Sequence, residues 1–94
     1  MEQGDHVILV GGKPFMNYVT GVVMQFTTER ADVVVVKARG KFISKAVDIA
    51  EVTRKRFLGE QIDIHNISID SQEFTNKEGK QVRVSTIEIA LLKK

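Results

Sequence analysis

Two periods of apolar residues alternate along this chain, and the switches between them mark its elements. HVILV (His6 to Val10) is a short apolar run ending at Gly11 and Gly12, which suits a buried strand. From Pro14 the apolar residues fall at Phe15, Val19, Val22, Val23 and Phe26, a helical spacing that Gly21 and the threonines weaken without cancelling. TERAD breaks that period. ADVVVVKA, with four consecutive valines, reads as a central strand covered on both faces, and Arg39 and Gly40 turn the chain out of it. KFISKAVDIAEVTRKRFL is the clearest helix, with a stripe of Ile43, Ala46, Val47, Ala50 and Phe57 and with Lys45, Asp48, Arg54 and Lys55 elsewhere on its surface. Arg54, Lys55 and Arg56 complement the dipole at its end, and Gly59 supplies the stop.

In QIDIHNISID, Ile62 and Ile64 alternate, then Ile67 and Ile69 resume in the opposite phase. The slip at His65–Asn66 predicts a bulge or a change of buried face. TNKEGK is a hairpin turn with Gly79 at its positive-φ position, and VRVSTIEIALL pairs back as the last strand. The order β-α-β-α-β-β, with parallel neighbours across each strand–helix–strand unit and a closing antiparallel hairpin, predicts an α+β fold. It is a two-layer sandwich: a four-stranded mixed sheet, two helices along one face, and a hairpin arm that protrudes.

Totals narrow the picture. The 94 residues suffice for one domain, spanning 1–94, with a single modest core. Hydrophobic residues at 43% and charged residues at 28% make an ordinary globular composition, which excludes an intrinsically disordered chain. With no cysteine, disulfides and thiolate metal sites are excluded. No apolar run approaches the roughly 20 residues of a membrane span, and the opening MEQGDH does not read as a signal peptide, so the expectation is a cytoplasmic protein. The net charge is only +2, but it is localised: from Lys37 to Arg56 seven basic residues face only Asp48 and Glu51, a net +5, leaving −3 for the rest. A binding face and a solvated helix face account for that span equally well.

Candidate chemistry centres on VGGKPFMNYV, a strand, a glycine turn and a helix start that carries a cation. Free N–H groups and the helix dipole there favour an anion. A Walker loop (G-x-x-x-x-G-K-[ST]) and a dinucleotide fingerprint (G-x-G-x-x-G) are both missing, and no hydroxyl follows Lys13 to hold magnesium. On local sequence alone a plain βα turn is the stronger reading. His6 and His65 lie in separate strands, so no metal site is expected. Asp48 and Glu51 share a helix face among basic neighbours, and Ser44 and Ser85 lack a base partner, so neither an enzyme nor a cofactor is expected. Nucleic acid draws on more of the chain. In KARGK, Lys37, Arg39 and Lys41 alternate, and the parallel strands bring this turn and GGKP to the same carboxyl edge of the sheet. Lys13, Arg39 and Lys41 therefore converge, Lys45 extends the patch, and Lys77, Lys80 and Arg83 stand on the hairpin.

Three blocks, GGKPFMNYV, KARGKFISKAVDIAEVTRKRF and VSTIEIAL, resemble the signature blocks of the Alba family of small archaeal chromatin proteins, from about Val7 to Lys93 and in the right order. The resemblance implies a fold similar to the C-terminal domain of translation initiation factor three. It implies a homodimer that binds double-stranded DNA, and RNA, without sequence preference, coating and compacting chromosomal DNA in the nucleoid. The family's G-K-K-P and K-A-R-G-R turns, which contact the backbone, correspond here to Gly12 and Lys13 and to Arg39 and Lys41, and Lys80 and Arg83 correspond to the arm that runs along the minor groove. Its dimer–dimer contact on DNA corresponds to Phe57, with Arg56 beside it; the stripe offers Phe57 a core position instead. Four positions depart from the pattern: Gly12 replaces the lysine that is acetylated in the family, Lys41 a common arginine, Phe42 a usual alanine and Gly59 a common proline. Tyr18 and Asn17 match the family, either touching nucleic acid or holding the fold. Two rival functions are a mainly RNA-binding ribonucleoprotein subunit and a phosphate-ester enzyme, for which the ligands are missing.

Overall fold

A computed structural model describes residues 6–94; the MEQGD that opens the segment read as lacking a signal peptide lies outside them. The chain runs β1 (Val7–Leu9), α1 (Phe15–Thr27), β2 (Val33–Arg39), α2 (Ile43–Val52), β3 (Ile62–Thr75) and β4 (Gln81–Lys93), the order that the periodicity predicts. The four strands form one sheet in the order β1-β2-β4-β3. β1 runs parallel to β2, and β4 is antiparallel to both of its neighbours. β2 and β3 therefore run the same way but are separated by β4, instead of being the parallel neighbours expected. Val19, Val22 and Phe26 of α1 and Ala46, Ile49 and Ala50 of α2 pack onto Val34, Val36, Ile89 and Leu91. Each of the larger side chains among these contributes about 1.5–3 kcal/mol on burial.

The sheet is covered on one face. The four valines of β2 therefore divide by parity: Val34 and Val36 are buried under the helices, while Val33 is exposed and Val35 half-buried on the other side. Coverage on both faces, which the continuous apolar run predicts, is not what the strand has. A run of valines reports β-propensity as much as burial. The open face is polar further along, where Lys37 pairs with its register partner Glu88 at 3.4 Å. β1 also differs from the expectation of a buried strand. It is a three-residue edge strand with Leu9 71% exposed, and only its Ile8 and the following Val10 turn toward the helices.

Past Val52 the second helix widens. Thr53–Leu58 forms a π turn, and a 3-10 turn, Gly59–Gln61, follows it. An α-helix would carry the buried stripe from Ala46 through Ala50 and Thr53 to Phe57. The π step of five residues carries it from Thr53 to Leu58 instead. Leu58 is buried at 6% exposure and Phe57 is pushed out to 50%. Phe57 is thus not a core residue, and Val47, also assigned to the stripe, lies on the exposed side of it. Gly59, at φ +53°, ends the turn as a stop residue should.

The slip in β3 is a bulge. Ile64 pairs with Leu91 and Asn66 with Ala90, after which Ile67 pairs with Ile89 and Ile69 with Ile87. Directly opposed residues share a face, so the extra residue holds all four isoleucines on the helix side and the buried face does not change. Beyond it the hairpin outruns the helices, leaving Ile67 53% and Ile69 79% exposed. Its tip is fastened by Asn76, whose side-chain oxygen accepts from the backbone N–H of Glu78 (2.9 Å) and Lys80 (3.0 Å), with Gly79 at φ +81°. The long axis of the molecule reaches 46 Å.

Candidate nucleic-acid interface

The glycine turn leaves β1 still attached to β2, since the Val10 N–H donates to the Lys37 carbonyl at 2.8 Å. Gly11–Lys13 and the end of β2 therefore share one edge of the sheet. Within this turn the Tyr18 hydroxyl accepts from two backbone N–H groups, Gly11 at 2.9 Å and Lys13 at 3.2 Å. Side chains on a helix lean toward its N-terminus, so a tyrosine in the first turn of α1 reaches back over the loop. Lys45, from the first turn of α2, donates its ammonium to the carbonyls of Gly11 (2.8 Å) and Lys13 (2.5 Å) and lies 5.0 Å from the Tyr18 ring centroid. Burial of the ring pushes the Tyr18 phenol up, but the Lys13 and Gly11 N–H groups and the charges of Lys45 and Lys13 outweigh it and hold the pKa below its ordinary value.

These contacts revise the picture of an open amide cradle. Two of the loop's N–H groups already have an acceptor, so what the turn presents outward is the Lys13 side chain on a fixed backbone. Lys45 lies at the patch, but its charge is engaged in bracing the loop. Tyr18 is the brace that the sequence leaves unassigned; its position four residues past Pro14 is the only signal. A side chain at Gly12 would meet open space, so packing does not require the glycine.

Arg39 ends β2, and Gly40–Phe42 forms a 3-10 turn entered at a positive φ of +60°. Lys13, Arg39 and Lys41 are all exposed, and among the described residues no carboxylate pairs with any of them. The arm belongs to the same edge. Arg39 pairs with Thr86, so Gln81 to Ser85 and the turn before them project past the end of β2, by about 17 Å for five strand residues. Lys80 and Arg83 lie on that projection. Arg83 is matched to Glu73 across the hairpin at 2.8 Å, with both side chains exposed, a pair weak enough to exchange for a phosphate.

Arg56 and Phe57 are not part of this cluster. α2 runs back from the Arg39 edge, and its π turn ends near Ile62, whose partner is Lys93, at the opposite edge of the sheet. There Glu51 takes Arg54 at 2.9 Å and Lys55 at 3.4 Å. The Arg54 hydrogen bond, against a smaller cost of burial, holds the Glu51 carboxyl below its usual range. Within the basic run Lys37, Arg54 and Lys55 have carboxylate partners, whereas Arg39 and Lys41 have none among the described residues. Among the described residues no group of three or more His, Asp or Glu side chains is placed to hold a metal, and no helix is long and apolar enough to cross a membrane.

Comparison with known proteins finds relatives in sequence and in fold. The Alba family model aligns with residues 6–71. DNA/RNA-binding protein Alba of Nanoarchaeum equitans is 54% identical over 88 residues, spanning 93% of this chain and 97% of that one. The protein of that name in Methanococcus maripaludis is 47% identical over 89 residues, spanning 95% and 99%. Among solved structures, Alba from Thermoplasma volcanium superposes with a TM-score of 0.82 at 45% identity, covering 93% of this chain and 99% of that one. ALBA1 from Trypanosoma brucei shares the fold at 20% identity, with a TM-score of 0.73 over 98% of this chain and 72% of its own.

Proposed function

The chain belongs to the Alba family, and from that premise we propose that it is a nucleic-acid-binding protein that holds double-stranded DNA, and RNA, by their backbone phosphates. It works without sequence preference, coats and compacts chromosomal DNA in the nucleoid, and catalyses nothing. One observation carries this reading: Lys13, Arg39 and Lys41 stand exposed and, among the described residues, without a carboxylate partner at the sheet edge from which the arm extends. Phosphate contacts of this kind supply affinity and orientation but read no bases. Lys80 and Arg83 extend the contact along the duplex, and Gly12 contributes its backbone beside Lys13. Lys45 acts by fixing the loop that aims Lys13.

The binding unit in this reading is a homodimer. Val47, Ile64, Ile67 and Ile69 leave an apolar surface open above the buried Ile87 and Ile89, and a second copy presenting the same apolar surface would cover it. Phe57, turned outward beside Arg56, supplies a smaller contact between dimers lined up on DNA.

The test is a titration of duplex DNA and duplex RNA across a salt series with the wild-type protein and with Lys13→Glu/Arg39→Glu. The variant is expected to bind all sequences more weakly and to alike degree. Its dependence of log K on log salt flattens by about 0.9 for each phosphate that the variant no longer neutralises. Unchanged binding would remove this edge from the reading, and tighter binding of RNA than of DNA would move the role to RNA packaging or processing.

A further inference from the structure

Phe42 closes the 3-10 turn that carries Lys41. It is half-buried and packs against the hydrophobic core. Two lysines approach its ring, Lys41 with Nζ 5.4 Å from the centroid and Lys45 with Nζ at 5.9 Å. The two are unequal. Lys45 is tied to the carbonyls of Gly11 and Lys13 and cannot leave without releasing the loop. Lys41 is exposed, and among the described residues the ring is its only partner. An exposed cation over a ring is a weaker contact than a nucleobase stacked on it.

We propose that Phe42 is a stacking shelf for an unpaired base, and that it gives this chain a preference for single-stranded over duplex nucleic acid at this edge. Lys41 turns off the ring to a neighbouring phosphate, and the base takes its place. Charge selects this occupant over an apolar peptide. Lys41 stands over the ring, Arg39 precedes it in the same turn, and Lys13 is joined to it through the Lys45 brace, so the ring sits within the basic surface that phosphates would follow. A polyanion with planar, apolar faces meets both requirements. In a duplex each base is already stacked on both sides, and a half-buried ring cannot reach its face, so the duplex gains nothing from Phe42.

This inference rests on the phosphate-binding reading, and three probes of one length separate the two. They are a single-stranded oligonucleotide in RNA and DNA versions, an abasic strand with the same phosphates, and the matched duplex. Phe42→Ala is expected to weaken single-strand binding about tenfold, the contribution of one stacked base, while binding of the abasic strand and the duplex stays unchanged. Phe42→Leu, which retains apolar volume, should match Phe42→Ala. Phe42→Trp should keep single-strand affinity, and as the only tryptophan in the chain its emission should be quenched by the intact strand and not by the abasic one. Equal losses on all three probes, no loss on the single strand, or no quenching would overturn the shelf. Failure of the phosphate reading shows elsewhere, as a wild-type protein that binds neither the duplex nor the abasic strand.

Discussion

Tyr18 shows how much one hydroxyl can organise. It receives two backbone N–H groups of a four-residue turn while its ring faces the ammonium that holds the same turn from the other side. It is also the only tyrosine, and there is no tryptophan, so its ionisation can be read directly by near-ultraviolet absorbance. The titration midpoint is expected below the ordinary value near 10 in the folded protein and back at that value in denaturant. A folded midpoint at or above the unfolded one would mean that the hydroxyl does not receive those N–H groups. The local sequence offers only its position, four residues past Pro14, to announce this use of Tyr18. Its partners lie five and seven residues away on irregular backbone, and Lys45 reaches the loop from 32 and 34 residues away. Such contacts leave no period to detect. The cations themselves are legible, because charge at a predicted turn between predicted parallel strands has only one edge of the sheet to occupy.

At the scale of elements, the strands and helices are legible because each has a period and a stop. The π turn is not, since a single residue of helical phase is invisible where apolar Val52, Phe57 and Leu58 satisfy either phase. Its position matters for energy as well as for Phe57. Thr53, at its start, is fully buried, and its hydroxyl has no hydrogen-bond partner among the described residues. An unmet buried hydroxyl costs about 1–3 kcal/mol. Thr53→Val keeps the branched shape and removes that cost, so it is expected to stabilise the fold by about 1 kcal/mol. Thermal unfolding should then show a rise of about 4–8 °C in Tm for a chain of this size. A fall in Tm would mean that the hydroxyl has a partner in solution.

For the whole molecule, the sheet face under the helices is longer than the helices are. Periodicity assigns Ile67 and Ile69 to an inner face correctly, yet it carries no information on what stands opposite them. That is why the sequence reads as burial what the single chain leaves open. The proposed homodimer would cover it. Ile69→Asp is expected to halve the mass in solution, from twice the 10.5 kDa of the chain to once, as measured by sedimentation equilibrium, while far-ultraviolet dichroism stays unchanged. A wild-type mass of 10.5 kDa, or a variant that remains double, would remove this face from the assembly. The 46 Å long axis set by the hairpin has a further effect, on stoichiometry. At 3.4 Å per base pair, a chain lying lengthwise on a duplex touches at most about 13 base pairs. On the proposed reading, a saturated duplex therefore carries at least one chain for about every 13 base pairs, a limit that the extended strands set more than the helices do.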